Sequence, residues 1–201
     1  MPADFVCLDE VIPGLVTALA YASSNNFVGS PVDGYDVNRA ILSRPAAEAL
    51  ASVQTRLAPM GLGLKVFDAY RPRRAIDHFL RWVDSADETT KPRYYPSIAK
   101  NRLFELGYIG LHSTHCRGST VDLTIIDLAT GADIEMGTHF DYFDHSSWTA
   151  YADISALCRA NRLLLKVLME QAGFKGLDNE WWHFTLANEP YPDVNFDFPI
   201  R

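Results

Sequence analysis

The spacing of apolar positions changes character several times along this chain, and each change predicts an element. Ala47, Leu50, Val53 and Leu57 fall at helical intervals. Ser43 stands where a helix cap belongs, Pro45 sits in the first turn, and Gly61 and Gly63 follow the end. A second helix is predicted over 73–84, with Ile76, Phe79, Leu80 and Val83 inward. A third runs from about Ser155 to Gln171, with Leu157, Leu164, Leu165 and Leu168 as its buried stripe and Gly173 as its stop. Alternating or β-branched runs predict strands at 64–70, 121–127 and 181–186. The first of these delivers Asp68 and Arg71 at its C-terminal end. Turn chemistry at 23–36 reads as a loop or hairpin, and "LATGAD" after residue 127 as a turn into a partner strand. The polar stretch 85–98 reads as an exposed loop. Residues 137–150, rich in Asp, His, Ser and aromatics, read as a long functional loop, and the Pro-rich tail from 190 has no regular element.

Helices and strands arrive in mixed order, without βαβ regularity or an internal repeat. The expected fold is therefore α+β: one compact domain over 1–201, with a mostly antiparallel sheet flanked by helices. A net charge of −7 argues against a broad nucleic-acid surface, since "YRPRRA" at 70–75 is the densest basic cluster. No apolar stretch approaches the roughly 18 residues of a membrane span. The N-terminal residues have acids where a secretory leader is basic. Cys7, Cys116 and Cys158 have no framework spacing and read as reduced thiols. A soluble, cytoplasmic protein with a small-molecule substrate is expected; nothing in the pattern speaks to oligomeric state. There is no glycine-rich phosphate loop and no G-x-S-x-G elbow.

The chemistry concentrates in two segments. In "HSTHCRGSTVDLTIID" (112–127), Gly118 lets the chain turn between His115 and Asp122, and Asp122 opens an apolar strand where a bare carboxylate is costly. From this segment alone two readings stand: a pair of metal ligands, or a loop histidine beside a turn-capping acid. In "NEWWHF" (179–184), His183 lies in an aromatic strand with Glu180 three residues earlier, and Trp181 and Trp182 are expected to wall the site. The alternative is a core histidine with a surface glutamate. Taken together, two histidines, one aspartate and a spare glutamate suit an open zinc site, which needs three protein ligands and a free position. His112, His139, His145 and His78 lack an orienting context, and Cys116 is expected to point away from its neighbour His115.

Those same residues carry a resemblance. "STHCRGSTVD" (113–122) resembles the S-x-H-x-x-G-x-A-x-D signature of the zinc D-alanyl-D-alanine peptidases, and "EWWH" (180–183) their E-x-W-H signature. "CLDE" (7–10), "NFVGSPVDGY" (26–35), "DAYRP" (68–72), "FDYFD" (140–144) and "EPYPDVNFDFP" (189–199) extend the likeness to the dipeptidase branch over nearly the whole chain. Thr120 departs from the usual alanine, which bears on local packing. The resemblance implies one zinc ion per chain held by His115, Asp122 and His183 in a cavity on the sheet, Glu180 as catalytic base, and Arg71 facing the transition state. It also implies hydrolysis of D-Ala-D-Ala, with a part in glycopeptide resistance or in recovery of D-alanine. Ser113 and Asp141 are candidates for the substrate's carboxylate and ammonium, and Tyr21 for the pocket lining. For Arg71 the alternative is a structural ion pair with Asp68, to be distinguished by Arg71→Ala lowering turnover without moving the melting temperature. Rival readings are a peptidoglycan carboxypeptidase or endopeptidase of the same superfamily, and a catalytically silent zinc-binding module.

Overall fold

Short elements open the chain: Phe5–Cys7 (β1), Leu8–Val11 (α1), Val16–Thr17 (β2) and Ile41–Ser43 (β3). The longer ones follow as Arg44–Leu57 (α2), Leu62–Asp68 (β4), Arg73–Asp84 (α3), Lys91–Tyr94 (α4), Thr120–Asp127 (β5), Ala156–Gln171 (α5), Phe174–Leu177 (β6) and Glu180–Leu186 (β7). The structure is a computed structural model that describes residues 1–110 and 112–201. Five strands make the main sheet in the order β2-β4-β5-β7-β6, and β1 pairs with β3 apart from it. Only the β2–β4 contact is parallel, so the sheet is mostly antiparallel as expected. The fold is α+β, with one contiguous core that runs from Phe5 to Ile200.

Register assigns the two faces different work. Leu64 opposes Ile125 and Val66 opposes Leu123, all four fully buried. Burying a side chain of this size is worth about 1.5–3 kcal/mol, so these pairs fix the sheet against its helical layer. In that layer α2 packs on β4, and α5 on β6 and β7. The other face carries Lys65, Thr124, Asp122 and its cross-strand partner His183. The 137–147 loop and the aromatics Tyr21, Phe27 and Phe79 gather over this face.

Two breaks in register position the site. Between β4 and β5 the pairing passes from Val66↔Leu123 to Asp68↔Asp122, leaving Phe67 without an opposite residue. This bulge turns Asp68 to the face that holds Asp122. Between β6 and β7 the pairing jumps from Gly176↔Phe184 to Leu177↔Glu180. Residues three apart on a regular strand face opposite sides; this irregularity is what lets Glu180 and His183 share one.

Several local expectations are corrected. Ser43 precedes α2 as expected, but its hydroxyl bonds Ser119 Oγ at 2.8 Å rather than capping the helix. Leu157 is 63% exposed. The buried residues of α5 are Cys158, Arg162, Leu165, Leu168 and Met169, so Leu165 and Leu168 lie inward as expected and Leu157 does not. On α3, Trp82 is buried where Leu80 and Val83 were expected, and they are only half-buried. The 85–98 stretch contains α4 and buries Tyr94 and Tyr95, the latter edge-on to Trp82. The turn after β5 leads to a single bridge, Ile126↔Asp133, and not to a strand. Residues 23–36 form turns around Asn26, whose amide donates to Ala20, Ser23 and Ser30 carbonyls. The tail packs: Phe198 stacks on Tyr70 at 4.0 Å, and Phe196 N–H donates to Cys116 C=O.

Candidate metal centre and active site

A tight turn places the first ligand. Thr114–Arg117 is a single 3₁₀ turn that Gly118 ends at φ +78°, and a Cβ there would stand 2.1 Å from Phe5 Cε1. His115 is thereby held over the end of β4, where its Nδ1–H donates to Ala69 C=O at 2.7 Å. A carbonyl only accepts, so Nε2 keeps its lone pair and faces inward. It lies 3.2 Å from Asp122 Oδ2 and 3.4 Å from His183 Nδ1. His183 Nδ1 is in turn 3.1 Å from Asp122 Oδ1. One ligand atom from each of His115, Asp122 and His183 falls within 4.8 Å of the other two.

These three residues fit a metal ion. Asp122 is buried, and among the described residues its Oδ1 has no hydrogen-bond partner, only the close approach of His183 Nδ1. A lone pair on His115 and a carboxylate around a common point repel one another unless a cation lies between them. Burial alone would raise the Asp122 pKa, but the two imidazoles outweigh it and hold the carboxyl below its ordinary range. Burial depresses His183, which favours the neutral, ligating imidazole. Ala69 C=O behind His115 is the outer partner that such a ligand needs.

Around this cluster the structure brings together Glu180, Arg71, Ser113, Asp141 and Tyr21. Glu180 Oε2 is 3.6 Å from His183 Nδ1 and lies outside the three-ligand set. Burial, with Asp122 and Asp141 close by, pushes its pKa well up. Arg71 donates from Nε to Asp68 Oδ2 at 2.9 Å and reaches Ser113 Oγ at 3.5 Å and Asp122 Oδ2 at 3.7 Å. Its guanidinium also lies over the Tyr21 and Phe79 rings, 5.1 and 5.3 Å from their centroids. Arg71 lines the cavity and also neutralises a fully buried Asp68. Removing Arg71 would leave Asp68 buried without this counter-charge, so Arg71→Ala is expected to lower the melting temperature as well as turnover. Asp141, at the left-handed φ of 59°, is buried and accepts from Tyr21 Oη–H at 2.8 Å. Burial and the Asp122 charge push Asp141 up, so an arriving cation would favour its ionised form.

The cavity among these groups measures about 170 Å³ and is also lined by Tyr108, Ile109, His112, Phe143 and Leu177. Drug-sized ligands fill roughly 300–1,000 Å³, so this one suits a much smaller molecule. A wider cleft of about 970 Å³, lined by Lys65, Phe67, Thr124 and Trp181, adjoins it but gathers no metal-ligand set among the described residues. Trp181 and Trp182 do not wall the catalytic cavity. Trp181 donates to Thr138 Oγ1 and Trp182 lies against Phe140. Cys116 is buried away from the ligands as expected. His139 is held by the Arg93 and Phe140 carbonyls, and His78 pairs with Asp33. Sequence reasoning passed over Tyr35, whose hydroxyl donates to Asp68 Oδ1 at 2.6 Å. A tyrosine in a turn-rich stretch gives no local sign of such a contact.

Comparison with known proteins agrees over the full length. The peptidase M15 family described as D-ala-D-ala dipeptidase matches residues 1–201. A D-alanyl-D-alanine dipeptidase of Enterococcus faecalis is 43% identical over 201 residues, covering 100% of both chains. One from Streptomyces coelicolor is 42% identical with the same coverage. A third, from Escherichia coli, is 32% identical over 183 residues, 91% of this chain and 84% of that protein.

Proposed function

The chain belongs to the D-Ala-D-Ala dipeptidase family of M15 peptidases, and from that premise we propose that it hydrolyses D-Ala-D-Ala to two D-alanines with one zinc ion held by His115, Asp122 and His183. The observation that carries this reading is the convergence of those three ligand atoms within 4.8 Å, beside a buried carboxylate and a buried guanidinium. The donor set of two imidazoles and one carboxylate suits zinc and leaves room for a fourth, non-protein ligand. A zinc ion in this place supplies Lewis acidity, polarising a carbonyl and lowering the pKa of a water to about 7.

The protein's own groups do the rest. Glu180, kept basic by burial near two other carboxylates, takes a proton from the attacking water and returns it to the leaving amine. Arg71 offers NH1 to the oxyanion that forms on the carbonyl carbon, while Nε and NH2 stay tied to Asp68 Oδ2. Arg71 cannot lose its charge at any working pH. Ser113 Oγ, beside Arg71, receives the substrate carboxylate. Asp141, set by Tyr21, receives the ammonium. The small cavity supports a dipeptide over a long wall peptide. Among the described residues no helix is long and apolar enough to cross a membrane, and the three cysteines are buried free thiols. A cytoplasmic place for the enzyme is part of the same reading.

The test is incubation of purified protein with D-Ala-D-Ala, N-acetylated D-Ala-D-Ala and a longer stem peptide, with and without chelator. Cleavage of the free dipeptide alone, abolished by chelator, is expected. Cleavage of the stem peptide would move the assignment to a carboxypeptidase or endopeptidase. No cleavage with zinc bound would make the chain a binding module.

A further inference from the structure

We infer that Arg162, on α5, is a positioning residue that sets where Asp141 stands and hence how the substrate's ammonium is bound. The inference rests on the dipeptidase reading above. Arg162 is 1% exposed, yet it has no carboxylate partner among the described residues. A buried cation without a counter-ion is costly, and among the described residues this guanidinium bonds only backbone carbonyls, with NH2 left unpartnered. Nε donates to Met136 C=O at 2.6 Å and NH1 to Trp148 C=O at 2.8 Å. Those two carbonyls are the two ends of the loop that carries Asp141. One planar fork therefore closes the loop at its base, a task that a flexible ammonium cannot copy.

The rest of the loop is built outward from that clamp. Gly137, at φ +89°, passes so close that a Cβ would lie 3.4 Å from Arg162 NH2 and 3.3 Å from Ile154 Cγ2. Thr138 Oγ1 accepts from Trp181 Nε1 at 2.9 Å and meets the buried Ser147 Oγ at 3.0 Å. Ser147 Oγ donates on to Tyr142 C=O. Asn161, next to Arg162 on α5, adds a bond from Nδ2 to Glu135 C=O at 2.8 Å. At the tip, Phe140 stacks on Phe67 at 4.9 Å and Asp141 turns into the cavity with its left-handed backbone. Burial lowers the Arg162 pKa to about 10, so the fork remains charged at neutral pH.

The test is steady-state cleavage of D-Ala-D-Ala by zinc-loaded wild type, Arg162→Lys, Asn161→Ala, Asp141→Asn and the Arg162→Lys/Asp141→Asn double variant, rates being normalised to bound zinc. Arg162→Lys is expected to raise KM about ten-fold with kcat within about three-fold, and Asn161→Ala to raise KM about three-fold. On the Asp141→Asn background Arg162→Lys should change KM less than about two-fold, because the two residues act on one contact. A merely structural Arg162 would lower the melting temperature or the active fraction and leave KM alone; that result overturns the inference, as does full additivity in the double variant. Should Arg162→Lys fail to fold, Asn161→Ala decides, and an unchanged KM sinks the proposal. Wild type that binds zinc and cleaves nothing would instead bring down the dipeptidase reading, and this inference with it.

Discussion

Replacing Glu180 by Gln removes one proton-accepting group and leaves the shape of the cavity intact. Glu180 contributes no atom to the three-ligand cluster, and its Oε2 is 3.6 Å from His183 Nδ1, beyond hydrogen-bond reach. The variant should therefore bind metal at the wild-type stoichiometry. A positioned general base is worth about 100- to 10,000-fold, which at 1.36 kcal/mol per ten-fold is about 2.7–5.4 kcal/mol of barrier. Burial and the nearby Asp122 and Asp141 raise the Glu180 pKa, which makes it a stronger proton acceptor than an exposed carboxylate. The same burial makes the ionised carboxylate a liability to the fold. A neutral amide in its place should leave the melting temperature unchanged or higher. D-alanine release would be followed by a coupled D-amino acid oxidase assay, with zinc counted by elemental analysis and stability by thermal melting. Turnover within ten-fold of wild type would refute the role of base. Loss of zinc together with activity would make Glu180 a ligand instead.

Arg71→Ala should lower turnover about 100- to 1,000-fold and also destabilise the protein by about 3–5 kcal/mol, since Asp68 is left buried with its charge uncompensated; kinetics and urea unfolding check the two parts separately. Gly118→Ala should destabilise by about 2–6 kcal/mol from left-handed strain and overpacking against Phe5, read as a fall in the urea midpoint. Stripping the metal with chelator should abolish hydrolysis and lower the melting temperature, because Asp122 then lies buried with an unpartnered oxygen; readdition of zinc should restore both, and a melt that ignores chelator would count against the site.

The elements legible in the sequence were those with strong periodicity and clear ends. The spans of α3 and α5 and the long apolar run of β5 were read within a residue or so. A buried aspartate and a histidine among tryptophans violate the local apolar pattern and mark candidates, but that pattern alone leaves a bland reading open; the ligand set and the roles of Glu180 and Arg71 come from the resemblance. What escaped depends on contacts distant in sequence. β1, β2 and β3 span only two or three residues each and exist because a partner is present. Leu157 was read as core by hydropathy alone, whereas the face of α5 is set by the sheet beneath it. Ser43 has the composition of a cap, but Ser119 competes for its hydroxyl and wins. The two register breaks leave no signature in residue type, and without them neither the Asp68–Arg71 pair nor the Glu180–His183 pair could be aimed.

The bulge at Phe67 has a consequence for how this cavity can change over generations. One surplus residue turns Asp68 toward Arg71 on one side and throws the Phe67 ring against Phe140, beside Asp141, on the other. The groups at the two ends of the cavity are therefore tied to a single irregularity in the ladder. A three-nucleotide deletion at that codon would straighten β4 and disturb both ends at once, so descendants of this chain cannot retune one end by that route while inheriting the other unaltered.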